Sequence, residues 1–168
     1  MLIGYKAFNN NMENRYGMKF KEKNLYTVNG DLEFGNRGNG FHFCRRLEDT
    51  LRYVDGMNQD INIAKVVSYG KYLEHTDEYY GYYDMYVTSS IFIEKILIRE
   101  EIIDYILKSN ILSIERFLKG YKLTPNEIYF FKDRYAKYMQ IIDIINYYQE
   151  GKLDTYEKKY IKCNKKMK

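Results

Sequence analysis

His42 and Cys44 stand two residues apart in Phe41-His-Phe-Cys44, and their side chains suggest nucleophilic or acid–base chemistry. On a strand they share a face, but such neighbours lie about 6 to 7 Å apart, beyond hydrogen-bond reach. The spacing therefore does not build a cysteine–histidine nucleophile pair. His42 alone titrates near neutrality and suits a general base or a ligand contact. Its face, opposite Phe41 and Phe43, is either solvent or pocket. Glu94 is the one carboxylate in the β-branched segment Val87–Ile98. It can stabilise an oxocarbenium-like centre, or it can form an ion pair with Lys6 or Arg99. His75, beside Glu74, Asp77 and Glu78, reads as part of a solvated acidic loop. Cys44 and Cys163 are far apart in a chain with two histidines, which excludes a structural zinc set and leaves two free thiols. No metal and no cofactor is expected from these residues.

Positioning these groups requires a loop, a strand and a helix in close succession. Gly35 to Gly40 is a Gly/Asn loop that can adopt positive φ and approach a ligand. The strand Phe41–Cys44 follows it, and a helix from about Arg46 to Val54 buries Leu47, Leu51 and Val54 at i, i+4, i+7. Such an arrangement is one way to form a small-molecule or nucleotide crevice.

Around that unit, Leu2 to Phe8 reads as a first strand. Leu25–Val28 and Asp31–Phe34 flank Asn29-Gly30, the signal of a type I′ hairpin. Ile61–Tyr69 is a further strand, and Val87–Ile98 is the expected sheet centre. Between them Tyr79, Tyr80, Tyr82, Tyr83 and Tyr86 crowd around Gly81. That cluster either binds a ligand or protein partner, since tyrosine suits hot spots, or covers a small sheet's core.

From Arg99 the period becomes helical: Glu100–Leu107, Leu112–Leu118, and a long helix from Pro125 to Glu150. Thr124-Pro-Asn-Glu127 announces the last with a capping box and a proline at the first helical position. Its stripe of Ile128, Phe131, Tyr135, Tyr138, Ile142 and Ile145 is wide enough to suggest a partner or self-association surface through Ile142 and Ile145. Asp154 or Thr155 starts a last short helix. The reading is α+β: a β-rich part over residues 1–98, mainly antiparallel with one helix, then a helical extension over 99–168 packed on it.

Composition bounds the class. At 168 residues, with 45% hydrophobic and 17% aromatic content, the chain is not disordered. No apolar run approaches the roughly 20 residues of a membrane span. Met-Leu-Ile-Gly-Tyr-Lys carries no basic n-region or small-residue cleavage site, so the expected compartment is the cytoplasm. The net charge of +4 is concentrated in the tail 152–168, where lysines outnumber Asp154 and Glu157. That tail is read as a solvated terminus with weak nucleic-acid contact.

Gly4-Tyr-Lys-Ala-Phe-Asn9, then Gly40-Phe-His-Phe-Cys44, the helix Leu47–Tyr53 and the strand Asn62–Gly70 resemble a family of small phage and bacterial proteins. Their shared pattern is G-[YF]-K-A-F-N followed by G-F-H-x-C. The resemblance covers about the first 100 residues and implies no particular activity. The order of elements is also distantly similar to ADP-ribosyltransferases, in which a Gly/aromatic turn and a helix form a nicotinamide-dinucleotide crevice. That similarity implies a ligand-lining set of Tyr5, Lys6, Gly40, Phe41, Tyr53 and Ser89, with Glu94 and His42 as catalytic groups. The match is incomplete. Tyr5-Lys6 stands where those enzymes carry Arg or His, and lysine is not an equivalent planar donor. Thr88-Ser89-Ser90 is similar to their Ser-Thr-Ser strand, but no Glu-x-Glu or Gln-x-Glu follows.

Two functions remain as expectations. The first is a phage or mobile-element accessory protein that binds a host protein or nucleoprotein, with an anti-defence role such as blocking a CRISPR nuclease included, and with a homodimer as a further expectation. The second is an ADP-ribosyltransferase-like enzyme or an NAD-binding relic, the one case in which NAD would be a cofactor.

Overall fold

The computed structural model describes residues 1–14, 17–35, 38–77 and 83–151. Seven strands form one sheet: β1 Leu2–Asn9, β2 Leu25–Thr27, β3 Phe41–Cys44, β4 Ile61–Ser68, β5 Tyr72–Asp77, β6 Tyr83–Thr88 and β7 Ser90–Ile96. Their order is β2-β7-β4-β1-β3-β6-β5, with antiparallel neighbours throughout. A 3₁₀ helix, Glu48–Tyr53, follows β3. Four α-helices close the described chain: α1 Arg99–Leu107, α2 Ile111–Gly120, α3 Pro125–Arg134 and α4 Met139–Ile144, the last continuing as a π-helix over Ile145–Gln149. The architecture is α+β with a C-terminal helical part. Among the described residues, no helix is long and apolar enough to cross a membrane.

Each face of the sheet carries its own core. Phe8, Phe20, Phe41, Phe43, Val66, Tyr86, Ile91 and Ile93 are buried together on one side. On the other, Ile63, Leu47 and Leu51 join Ile106, Phe117, Phe131, Ile141 and Ile145 of the helices. A strand covered on both faces loses the polar–apolar alternation of a half-exposed one. The run Ile-Asn-Ile-Ala-Lys-Val-Val-Ser of β4 is of that kind, with Ile63, Ala64, Val66 and Val67 all buried.

Several local expectations yield to longer-range pairing. The Asn29-Gly30 hairpin does not form. Leu25–Thr27 pairs with Phe92–Ser90 of β7 instead, because Tyr26 packs its ring on Phe20 at 4.7 Å in the sheet core. Asn29 and Asp31 give their carbonyls to the Asn39 amide at 2.8 and 2.9 Å, which ties the turn to the Gly loop. The expected central strand Val87–Ile98 is two strands meeting at Ser89. β6 pairs with β3 and β5, while β7 pairs with β4 and β2, and the middle position belongs to β1. His75 lies on the edge strand β5 rather than in a loop, because its segment registers against β6.

The helix expected from Arg46 is a 3₁₀ turn starting at Glu48. The Thr50 hydroxyl donates to Leu47 O at 2.7 Å, and Arg46 holds Asp49 at 3.2 Å across three residues, the spacing that a tighter helix eclipses. The continuous helix expected over Pro125–Glu150 breaks between Tyr135 and Tyr138. Its capping box is present, with Thr124 Oγ1 accepting the Glu127 N–H at 3.3 Å and Glu127 accepting that of Thr124 at 2.7 Å. The wide π turn brings Gln149 back onto α2, where its amide donates to Leu118 O at 2.5 Å and Tyr121 O at 2.9 Å.

Candidate functional site

β1 and β3 are neighbours with a single registered pair, Tyr5 opposite Cys44. Gly4 makes that approach feasible: a Cβ there would lie 2.4 Å from Cys44 O and 2.7 Å from the Phe43 ring. Beyond this rung the strands separate and leave an opening. The Lys6 side chain enters it, donating from Nζ to His42 O at 2.7 Å and lying 5.5 Å from the Phe8 ring centre.

Two adjoining cavities occupy the opening, of about 50 Å³ and about 330 Å³. They share Lys6, Ala7, His42, Tyr53 and Met85. The smaller reaches Tyr5, Cys44 and Thr50. The larger has an aromatic floor of Phe8, Phe20 and Phe41, a polar rim of Asn9, Glu13 and Asn14, and a backbone wall from Gly35, Gly38 and Gly40. Gly40 is required in that wall, since its φ is +118° and a Cβ would meet Val87 Cγ2 at 2.4 Å. Tyr53, 52% exposed, stands where the cleft meets solvent.

The electrostatics of the cleft are set by burial. Lys6 has no ion-pair partner among the described residues, and desolvation lowers its amine to about 8, with the neighbouring Cys44 opposing. Burial pushes the Cys44 thiol up to about 12, Asp49 adding to the rise and Lys6 opposing it. Cys44 is therefore an inert thiol at neutral pH, not a nucleophile. Glu13, the carboxylate on the rim, is held by Lys19 at 3.1 Å. Phe34 stands edge-on to His42, with ring centres 6.1 Å apart, and is 5.6 Å from His75. The His42 face is thus pocket rather than solvent.

Two larger hollows, of about 570 and 540 Å³, lie between the 56–61 loop and the helices. The strongest donor of the first, Arg99, is already bound to Glu127 at 2.6 and 2.8 Å and to Lys122 O at 2.8 Å. The β1–β3 cleft keeps in Lys6 a cation with no ion-pair partner among the described residues, and on that ground it is the better site.

Residues 2–94 match the family described as a domain of unknown function, DUF7666. The chain belongs to this family. No curated protein and no solved structure gives a significant match. Every residue of the cleft falls within the DUF7666 domain, and α1 to α4 lie beyond it.

Within the DUF7666 domain the structure gathers Tyr5, Lys6, Gly40, Phe41, His42 and Tyr53 around one cleft. It does not bring Glu94 there. Glu94 sits on β7, separated from β1 by β4, and pairs with Lys65 at 2.9 Å rather than with Lys6 or Arg99. Ser89 is also remote, at the β6–β7 corner, where its N–H donates to Lys71 O at 3.0 Å and its carbonyl accepts from Val28 at 2.9 Å. Tyr79, Tyr80 and Tyr82 lie outside the described residues, as do the side chain of Tyr83, Cys163 and the tail 152–168. Tyr86 is a core residue, stacked on Phe43 at 5.3 Å with its hydroxyl on Glu74 at 2.7 Å. Ile145 is fully buried and Ile142 half-buried, so Ile145 belongs to the helical core and not to an interface. Asn9, Glu13, Asn14, Phe20, Thr50 and Met85 are lining residues that local pattern did not single out. Glu48 is a further surprise: its carboxylate is buried with no hydrogen-bond partner among the described residues.

Proposed function

We propose that the protein is a binding protein whose β1–β3 cleft takes a small anionic ligand. One observation carries this reading: Lys6 Nζ lies in a cleft with an aromatic floor and bonds only a backbone carbonyl, with no counter-charge among the described residues. A partly buried ammonium is costly unless something supplies negative charge, and a ligand carboxylate or phosphate on Lys6 would do so. Tyr53 at the mouth and the wall of Gly35, Gly38 and Gly40 would enclose its remainder.

The residues do not fit an NAD-dependent transferase. The cleft is at the lower end of ligand-pocket volumes, Glu94 is two strands from β1, and Glu13 is engaged by Lys19. The test is a titration of methyl-labelled protein with glycolate, inorganic phosphate and NAD, followed at Ala7 and Met85. Glycolate or phosphate should shift both methyls, and Tyr53→Ala should weaken the effect. Methyls unmoved by every anion would overturn the reading.

A second surface favours a macromolecular partner. Tyr129, Phe130, Tyr138 and Met139 are 76%, 44%, 47% and 67% exposed on α3 and the turn into α4. Aromatic and methionine side chains exposed in this way suit protein interfaces. In this reading the helical part docks on a host protein or nucleoprotein while the cleft remains a separate site. A Tyr129→Ser, Met139→Ser variant should lose a partner that the wild type retains, with the fold unchanged.

A further inference from the structure

We infer that Lys6 captures its ligand covalently: the cleft takes a small oxo acid, whose carbonyl carbon forms an imine with Lys6 Nζ. This rests on the anion-binding reading above and names the ligand class. Nζ is held at a fixed place in the opening between β1 and β3, pinned by His42 O at 2.7 Å, and the Lys6 side chain forms part of the wall shared by both cavities. An imine-forming amine must be positioned and must spend part of its time unprotonated, conditions that a desolvated lysine without a carboxylate partner meets.

The titratable groups around it are few. From β3 come His42 and the Cys44 thiol, from the segment after β1 comes Glu13, engaged by Lys19, and from β1 itself and the 3₁₀ helix come the Tyr5 and Tyr53 phenols. Among the described residues, none places a carboxylate in ion-pair contact with Nζ to fix it as an ammonium.

The chemistry balances without a co-reactant. The free amine lone pair adds to the carbonyl carbon, forming the C–N bond as the C=O π pair moves to oxygen. The attached nitrogen gives up one proton and the oxygen takes one to give the carbinolamine; a further proton, drawn from solvent, lets the oxygen leave as water while the restored nitrogen lone pair closes C=N. His42 lines both cavities with Lys6, and its imidazole, which can both donate and accept, is placed to pass those protons. The iminium so formed keeps one positive charge for the ligand carboxylate.

The test uses the full chain, glyoxylate and cyanoborohydride at pH 7.5, with peptide mapping of the reduced adduct. An amine near 8 has about a two-hundredfold larger neutral fraction at that pH than an ordinary lysine. Lys6 should therefore be the dominant adduct among the lysines, although most other lysines are more exposed, and the Met1 amine is read as a separate peptide. Glycolate, which matches the probe but lacks its carbonyl, should compete, and Lys6→Arg should abolish that one adduct while leaving the slow background unchanged. Adducts spread over exposed lysines, with Lys6 unmodified while glycolate still shifts the Ala7 and Met85 methyls, would overturn the imine and leave anion binding standing. If glycolate shifts nothing either, both fail together. The wild-type map decides the matter even if the Lys6 variant does not fold.

Discussion

β1 has two seams, and they are built differently. Against β4 it pairs at every position, from Leu2 opposite Ser68 to Asn9 opposite Ile61. Against β3 it pairs once, Tyr5 opposite Cys44. The closed seam has Ile63 and Ala64 fully buried on opposite faces, so both cores reward its registry. The open seam has a glycine where the strands touch and a lysine where they part. A strand that is zipped on one side and split on the other supplies a rigid wall to a cleft, which is how a small domain can hold an amine in place.

The largest effect should come from breaking the closed seam. Ile63 is 0% exposed and packs beneath the helices, so Ile63→Ala should cost about 2 to 5 kcal/mol. Chemical denaturation would show it as a lower midpoint, and anion binding in the surviving folded fraction should be unchanged. If the variant instead loses binding at full stability, the two seams are not independent.

The open seam should reveal itself through pH. Burial lowers Lys6 from 10.5 to about 8, so between those values the unfolded chain holds a proton that the folded chain has released. Stability conferred through this group is then fully present above pH 10.5 and is lost as pH falls through 8. The span of about 2.5 units corresponds to about 3 kcal/mol. Cys44, Tyr86 and Tyr105, each raised to about 12, act in the opposite sense in an overlapping range. The quantity to measure is therefore the difference between wild type and Lys6→Met, which should grow in favour of the wild type from pH 8 to pH 10.5. A flat difference would mean that Lys6 is solvated and that the cleft is not a dry site.

Some of this was legible in the sequence, for physical reasons. His42 and Cys44 fall on one face because strand geometry alternates, and Gly40 signals a close approach because only glycine tolerates its φ. Lys6 and Tyr53 enter the expected lining set only through the distant similarity to ADP-ribosyltransferases, not through any local pattern. What could not be read was nonlocal. Asn9, Glu13 and Asn14 reach the cleft only because the chain after β1 folds back, with Glu13 bridged to Lys19. Leu25–Thr27 carried a hairpin signal that lost to β7. Glu94 met Lys65 because the β4–β7 register shifts between Lys65 and Val66, and a bulge has no reliable signature in one sequence. The helical stripe is apolar as its period implies, but its apparent width assumes one continuous helix, and the break at Tyr135–Tyr138 turns Ile145 inward.

Gly4 tests the single rung directly. Its missing Cβ would press on Cys44 O and the Phe43 ring, neither of which is a flexible chain end. Gly4→Ala should cost about 1 to 3 kcal/mol and should also reposition Lys6 relative to His42 O. The expected outcome is a lower melting temperature together with weaker anion binding. A stability loss with unaltered affinity would place Gly4 in packing alone.

The smallest effect is expected at Glu94, where the contrast between the seams is sharpest. Its carboxylate pairs with Lys65 across β4 and β7, with side chains 35% and 36% exposed. Solvent screens a pair of this kind, so Glu94→Gln should change stability by less than about 1 kcal/mol. The side chain belongs to the zipped side of the sheet, so glycolate affinity and Lys6 adduct formation should match the wild type. Its effect should also fade as salt is raised, as expected of a partly exposed ion pair. Loss of ligand binding in Glu94→Gln, with the fold intact, would tie β7 chemically to the cleft and return Glu94 to the site.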